Sequence, residues 1–196
     1  MNYLLAKLKS FADNRYVCLA LLALASAFSI FYVTLNDPFY HSLSSIGRLH
    51  FFIYTLWCVI TGLATILNIN RLYKTSGIEK SFYKWLLLMS IIMLVVSYIT
   101  LFYYESDLLY VIHIISVALY AVISVILVLI CLFYLSINSN LCLAITLIYI
   151  TTVLVITNLM IYTVDTLAVN QIIILMLSYL VLFITNNILV IKKKMT

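Results

Sequence analysis

The sequence predicts an all-α fold, in which 196 residues form a single membrane domain of six transmembrane helices. The first observation is composition, since 66% of the residues are hydrophobic and only 9% are charged, against about 25% charged in soluble domains. The second is that the apolar stretches are continuous rather than alternating, which favours helices over a β-barrel. The third is that basic residues cluster between those stretches. Together they exclude a soluble globular domain, a secreted disulfide scaffold and a nucleic-acid-binding domain.

Six segments are long enough to cross a bilayer, which takes about 20 apolar residues. They are residues 16–35, 49–69, 85–103, 108–135, 141–163 and 170–191. The first resembles a signal peptide but has too long an apolar run, so we expect an uncleaved first span. The break between the fourth and fifth spans depends on a polar turn, Asn138-Ser139-Asn140. Without that break, residues 108–163 would be too long for one span.

The basic residues predict the orientation of the bundle. Of the eleven Lys and Arg residues, Arg48 is alone on one side, and the others lie on the opposite side: Lys7, Lys9, Arg15, Arg71, Lys74, Lys80, Lys84, Lys192, Lys193 and Lys194. The positive-inside rule places this second group in the cytoplasm. Both termini are then cytoplasmic, which requires an even number of spans. The predicted location is the cell membrane. Four acidic residues are predicted on the outer side, Asp37, Glu105, Asp107 and Asp165.

Small residues recur at helical spacing in the first span, where Ala23 pairs with Ala27 and Ala25 pairs with Ser29. Such pairs allow two helix backbones to approach closely. Packing within the bundle is the simpler interpretation. The alternative is a contact through Ala23 and Ala27 with a membrane protein partner or with a second copy of the chain.

Polar residues recur at intervals of three or four within the spans. The longest stripe lies in the second span and contains His50, Tyr54, Trp57, Thr61, Thr65 and Asn68. Residues at this spacing share one helix face, and in a membrane that face meets a neighbouring helix or a wet cavity. His113 and Asn158 lie at membrane depth, where a polar group needs a partner. The stripes therefore predict either packing between helices or a polar pocket that opens outward between the second, fourth and fifth spans.

The loop before the second span has the highest density of polar residues. It contains the only proline, Pro38, and two of the three histidines. Arg48 lies here against the charge bias, where a guanidinium can hold a phosphate or a carboxylate. We therefore expect a ligand at this outer face, and the residues expected to contact it are Arg48, His50, Tyr54, His113 and Asn158.

All three histidines are predicted at the outer face, together with most of the acidic residues. A catalytic zinc takes three protein ligands and a water, and the candidates here are His41, His50, His113 and Asp107. No HxxxH or HxxH pair is present, so we expect no cofactor and keep zinc as the alternative. Ser44 or Ser45 with a histidine and an aspartate would be a hydrolase triad, although no nucleophile-elbow motif supports it.

The same loop resembles a known family. A first span followed by Pro-x-Tyr-x-x-(Ile/Leu)-Ser-x-(Ile/Leu)-Gly is similar to the six-helix DUF998-type membrane proteins, themselves distantly similar to the Frag1/DRAM/Sfk1 group. The residues that match are Pro38, Tyr40, Leu43, Ser44, Ile46 and Gly47. The sequence departs from the pattern at Arg48-Leu49-His50. The resemblance implies the six-span fold and an important loop motif, with Ser44 and Gly47 singled out, but it implies no reaction.

These observations predict a bacterial multi-pass membrane protein that binds a membrane lipid headgroup or a small amphiphile in the outward pocket. A non-enzymatic role, as a transport accessory or an immunity-type protein, is the expectation. One alternative is the substrate-binding subunit of an energy-coupling-factor transporter, whose Ala-x-x-x-Ala pattern Ala23 and Ala27 resemble. The other is a zinc-dependent hydrolase of the ceramidase and adiponectin-receptor type, which has a similar residue inventory but seven spans.

Overall fold

In a computed structural model, the chain folds as a bundle of helices. The structure describes residues 13–78, 81–101, 106–137, 139–162 and 168–195, apart from the side chains of 161–162 and 188–195. The helices in these ranges are α1 (Arg15–Val33), α2 (Leu43–Leu49), α3 (Phe51–Ser76), α4 (Ser81–Leu101), α5 (Asp107–Ser136), α6 (Asn140–Tyr162) and α7 (Ala168–Met195). All except α2 contain a segment long and apolar enough to cross a membrane. The prediction of an all-α protein with six such helices is confirmed.

Helix α3 is longer than the apolar run that predicts it. It continues to Ser76, beyond the expected end at residue 69, and so carries Arg71 and Lys74 on its last two turns. Gly77 ends the helix with a φ of 75°, in the left-handed region that glycine adopts at no steric cost. Charged residues therefore end the apolar segment here, but they do not end the helix.

Helix α2 lies in the segment that the sequence predicts as an extended loop. Ser42 caps its N-terminus, because the Ser42 hydroxyl accepts a hydrogen bond from the Ser45 N–H at 3.2 Å. The helix has only seven residues. It is therefore too short for hydrophobic periodicity to reveal it.

The other helix ends lie within a few residues of the predicted spans. Helix α4 begins at Ser81, four residues before the predicted start, and α5 and α6 are separate helices that end at Ser136 and begin at Asn140. Between them, the Ser139 hydroxyl accepts a hydrogen bond from the Cys142 N–H at 3.4 Å. Asn138 lies outside the described residues. This short polar turn suffices to start the next helix because Ser139 caps it.

The spans pack around α3, which contacts α1, α4, α5 and α7. The larger apolar cluster joins α3 to α5 and α7 and includes Leu72, Tyr73, Leu127, Leu132 and Leu182. A smaller cluster lies under α2 and includes Tyr32, Ile46, Tyr54, Cys58 and Leu101. All four cysteines are buried thiols, as expected of small apolar side chains. The polar stripe of the second span lies on α3, so the helices packed around α3 are its possible neighbours.

The bundle has two ends of different character. The loop end contains α2, the end of α1 and the starts of α3 and α7, because the Ala168 N–H donates to the His41 carbonyl at 2.8 Å. The basic end contains the start of α1 and the ends of α3 and α7, because Arg15 donates a hydrogen bond to the Asn187 side chain. The charge distribution predicts that the basic end faces the cytoplasm.

Candidate functional site

Helix α2 lies across the loop end and is hydrogen-bonded to three spans. The Tyr32 hydroxyl of α1 donates to the Leu43 carbonyl at 2.7 Å. The Leu43 N–H donates to Oε1 of Gln171 in α7 at 3.0 Å. The Ser44 hydroxyl bonds to the imidazole of His113 in α5 at 2.9 Å. Three separate spans therefore hold this short helix in place.

Gly47 brings α2 against the aromatic side chains beneath it. A Cβ at this position would lie 2.6 Å from Cδ2 and 2.8 Å from Cγ of Tyr54. The Tyr54 ring stacks on Tyr98 with centroids 6.1 Å apart, and Tyr32 stacks on Trp57 at 4.9 Å. Only glycine allows the approach at this position without moving a packed ring.

His113 is buried, and both of its ring nitrogens are hydrogen-bonded. Nδ1 lies 2.8 Å from the main-chain oxygen of Ser97 in α4, and Nε2 lies 2.9 Å from the Ser44 hydroxyl. A carbonyl oxygen only accepts, so Nδ1 carries the proton. In the neutral ring Nε2 is then an acceptor, and the Ser44 hydroxyl donates to it. The hydrogen-bond network therefore fixes the tautomer of His113.

The five residues that the sequence predicts around an outward pocket differ in burial and in hydrogen bonding. Arg48 is exposed on α2, and His50 is half-buried at the junction of α2 and α3. Tyr54 is buried in the aromatic cluster, and His113 is bonded to Ser44. Asn158 is exposed on α6, where its amide donates to the Leu154 carbonyl of its own helix at 2.9 Å. That bond gives the amide a partner at depth without a second helix.

The residues of the loop motif have different roles in the structure. Ser44 and Gly47 contact His113 and Tyr54, as described above, and both are on α2. Pro38 contributes its carbonyl, which accepts a hydrogen bond from the Val169 N–H of α7 at 3.3 Å. Tyr40 is 83% exposed. The motif therefore combines contacts that fix the loop with one aromatic side chain at the surface.

The candidates for a zinc site do not form a cluster. Within the described part of the chain, no group of three or more His, Cys, Asp and Glu residues could hold a metal ion. His113 uses both ring nitrogens in hydrogen bonds, Asp107 is exposed at the start of α5, and His41 is half-buried in the loop. Glu105 and Asp165 lie outside the described residues. The described side chains give the zinc alternative no support.

The polar stripe of the second span faces neighbouring helices. Thr61, Thr65 and Asn68 are buried on α3. The two threonines donate to carbonyls of their own helix at 2.7 and 2.9 Å. The Asn68 amide donates to the Cys18 carbonyl of α1 at 2.9 Å and accepts from Asn186 of α7 at 3.3 Å. The contacts favour packing between helices as the role of this stripe.

The small residues of α1 face two ways. Ala25 and Ser29 are buried, and the Trp57 indole N–H donates to the Ser29 hydroxyl at 2.9 Å. Ala23 and Ala27 are exposed on the opposite face of the helix. Ala25 and Ser29 therefore pack within the bundle, and a partner that contacts Ala23 and Ala27 stays a prediction.

A cleft opens at the basic end, where the sequence predicts only topology signals. Its volume is about 220 Å³, and it is lined by Asp13, Arg71, Lys74 and Thr75. Lys74 Nζ lies 2.5 Å from Oδ1 of Asp13, with side chains 40% and 38% exposed. Arg71 donates to the main-chain oxygen of Asp13. Two cations thus face one carboxylate in a space open to the outside.

Two guanidinium groups at this end keep unused donors. The Nε atoms of Arg15 and Arg71 are buried and have no hydrogen-bond partner among the residues that the structure describes. Each guanidinium uses one terminal nitrogen, Arg15 for Asn187 and Arg71 for Asp13. Sequence reasoning missed this cleft because it ended the second span at residue 69. The signal that could have found it is the spacing of Arg71, Lys74 and Thr75, which places all three on one helix face.

No protein-family model matches the chain, and no curated protein or solved structure is significantly similar to it. The resemblance to DUF998-type proteins stays a prediction that rests on the loop motif alone.

Proposed function

We propose that the protein is a membrane protein that binds the anionic headgroup of a membrane lipid in the cleft at the basic end. The single observation that carries this proposal is the open cleft in which Arg71 and Lys74 face one carboxylate among the described residues, that of Asp13. The lipid class is the one expected from the sequence, but the site is at the opposite end from the predicted pocket. With the basic end in the cytoplasm, the ligand is a lipid of the inner leaflet.

The charges of the cleft favour a phosphate group. Among the residues that line the cleft, Arg71 and Lys74 together outweigh Asp13 by one positive charge. Guanidinium groups bind phosphate through paired N–H donors, and an ammonium adds a point charge. Arg71 lines the cleft, and its Nε has no hydrogen-bond partner among the described residues. A phosphate ester supplies the acceptors that the described residues lack.

The size and position of the cleft favour a lipid over a soluble metabolite. Pockets for complete drug-sized ligands enclose about 300–1,000 Å³, and this cleft of about 220 Å³ is smaller. It lies on α3 beyond the apolar segment, where a span meets the headgroup region. A phosphate headgroup fits the cleft while its acyl chains stay along the exposed apolar faces of the spans. An anionic leaflet also concentrates such lipids near basic residues.

The loop end is a poorer candidate for binding an anionic headgroup. Helix α2 covers it, and hydrogen bonds with Tyr32, Gln171 and His113 hold that helix. The polar groups in these three bonds already have partners within the protein. At the basic end, by contrast, an anion would join donors that are still unused.

The experiment compares two single lysine variants in purified protein, with bound lipid measured by native mass spectrometry from vesicles of phosphatidylglycerol and phosphatidylcholine. Lys74→Gln removes a cation of the cleft, and Lys84→Gln removes an exposed cation near the start of α4. One basic residue near an anionic surface contributes about 1 kcal/mol. We expect Lys74→Gln to weaken phosphatidylglycerol binding about fivefold and Lys84→Gln to change it little.

Equal losses in the two variants would contradict the cleft, because they would show attraction to the whole surface. A second measurement separates the lipid from free phosphate. Glycerol phosphate added in excess should compete weakly with phosphatidylglycerol, since it lacks the acyl chains. Complete displacement at equal concentration would instead show that the cleft serves a soluble phosphate ester.

A further inference from the structure

The hydrogen bond between Ser44 and His113 can activate a nucleophile, a property that lipid binding at the basic end does not require. The Ser44 hydroxyl oxygen lies 2.9 Å from His113 Nε2, although the two residues are 69 positions apart. On the other side of the ring, Nδ1 lies 2.8 Å from the Ser97 carbonyl oxygen. A hydroxyl, a base in hydrogen-bond reach and a third group that orients the base are the parts of an activated serine nucleophile.

The direction of the hydrogen bonds is the one that nucleophilic attack requires. Because Ser97 offers a carbonyl, Nδ1 must be the protonated nitrogen, and the neutral ring presents a lone pair at Nε2. The Ser44 hydroxyl therefore points its proton at the base. If Nε2 donated to Ser44 instead, Nε2 would have no lone pair with which to accept the serine proton.

The surroundings indicate which substrates can reach the pair. Ser44 is half-buried on α2. Exposed large apolar side chains lie on the same segment, at Phe39, Leu49 and Phe52, with Phe52 84% exposed. Arg48 is exposed on the same helix as Ser44, four residues further along the chain. Apolar side chains at the edge of a bundle favour an amphiphile, and a guanidinium can stabilise negative charge on an ester oxygen.

We propose that Ser44 is a nucleophile that accepts the acyl group of an amphiphilic ester, with His113 as its base. The Ser44 oxygen attacks the ester carbonyl carbon, and its proton moves to His113 Nε2. The ester C–O bond then breaks, and the leaving alkoxide takes the proton from Nε2 as an alcohol. Water then gives a proton to the same nitrogen and attacks the acyl-Ser44 carbonyl carbon. The bond between the acyl carbon and the Ser44 oxygen breaks, the proton returns from Nε2 to that oxygen, and a carboxylic acid is released. The net change is one ester and one water converted to one acid and one alcohol.

The test uses a tagged fluorophosphonate on the full-length protein in lipid nanodiscs, followed by peptide mapping. This probe forms a bond from its phosphorus to an activated serine oxygen and loses fluoride. We expect labelling at Ser44 in the unmodified protein, which requires no variant to fold. Ser44→Ala should abolish labelling, and Ser45→Ala should leave it unchanged, because the Ser45 hydroxyl donates to the Ser42 carbonyl and not to His113.

If the hydrogen bond between Ser44 and His113 only stabilised the fold, replacing His113 would not change the rate at which Ser44 is labelled. We expect His113→Gln to slow labelling at least about a hundredfold, which is the lower range for general-base catalysis. No labelling of the unmodified protein, beside a known serine hydrolase labelled in the same nanodiscs, would overturn the proposal. Labelling mapped to another residue would overturn it as well.

The result is separable from the proposed lipid binding. Ser44→Ala should leave phosphatidylglycerol binding at the basic end unchanged, and Lys74→Gln should leave labelling unchanged. Loss of one property without the other therefore identifies which of the two proposals fails.

Discussion

The loop end and the basic end hold their polar groups in different ways. At the loop end, neutral groups of Tyr32, His113 and Gln171 bond to a helix that covers them. At the basic end, Arg71 and Lys74 bond to Asp13 but line an open cleft. A neutral hydrogen bond can be buried in a membrane at small cost, whereas a charge must stay in reach of water or an anion. The hydrogen bonds that hold α2 at the loop end are therefore a constant part of the fold. The charged groups of the cleft at the basic end can exchange one partner for another.

The strongest test of this comparison is overpacking at the loop end. We expect Gly47→Ala to lower the free energy of unfolding by about 3 kcal/mol, the upper range for overpacking, because the new Cβ would meet the stem of the Tyr54 ring at 2.6–2.8 Å. Gly62→Ala is the control, since its new Cβ would meet only Cδ2 of Leu94, the end of a flexible side chain. Thermal unfolding in detergent measures both. A similar loss in the two variants would show that the loop end is not rigid.

The second test removes the polar anchor of α2. His113→Phe fills the space but leaves the Ser44 hydroxyl without its partner, which should cost about 2 kcal/mol. Amide hydrogen exchange across residues 43–49 should rise. His50→Phe is the matched control, because His50 makes no side-chain capping bond to α3. Unchanged exchange in His113→Phe would mean that Tyr32 and Gln171 hold the helix without it.

The third test concerns the buried amide pair beside the basic end, where Asn186 directly precedes Asn187. A double-mutant cycle of Asn68→Ala and Asn186→Ala should give a coupling of about 0.6 kcal/mol, the average for hydrogen bonds between membrane helices. The pair is buried, but its bond is long, at 3.3 Å. A coupling several times larger would mean that buried polar bonds beside the basic end are also strong parts of the fold.

A small effect on stability is also expected for the ion pair at the basic end. Asp13→Asn breaks a half-exposed ion pair with Lys74, which should change the free energy of unfolding by less than about 1 kcal/mol. The same change removes the carboxylate that competes with an anionic lipid, so phosphatidylglycerol binding should become tighter. Asp107→Asn, exposed on α5, is the control for a lost negative charge. Weaker binding in Asp13→Asn would contradict the cleft as an anion site.

The helices could be predicted from the sequence because their determinants are local. Length and continuity of the apolar runs identify the spans, and a single polar turn separates α5 from α6. Helix α2 could not be predicted in this way, since seven residues carry no usable period. The extension of α3 was missed because Arg71 and Lys74 end an apolar run without ending a helix.

The contacts of the sites could be predicted only in part. Ser44, Gly47 and His113 were singled out by composition and by the loop motif, but their partners lie far along the chain. The main-chain oxygen of Ser97 has no sequence signal at all, because every residue has one. The amide of Asn158 bonds to the Leu154 carbonyl of its own helix, so its depth in the membrane does not by itself require a partner on another helix. The spacing of polar residues identifies which faces of the helices are polar. Which residues bond to one another is known only once the packing of the helices is known.

The attachment of α2 has a consequence for biosynthesis. Leu43 and its partner Gln171 are 128 positions apart, and the Ala168 N–H that bonds to His41 is made almost as late. At 5–20 residues per second, a ribosome takes roughly ten seconds to cover that distance. During that interval the first loop emerges before its last-made anchors exist. The hydrogen bonds that join α2 and the first loop to α7 can therefore form only after α7 has been made. The loop end consequently reaches its final packing late in synthesis of the chain.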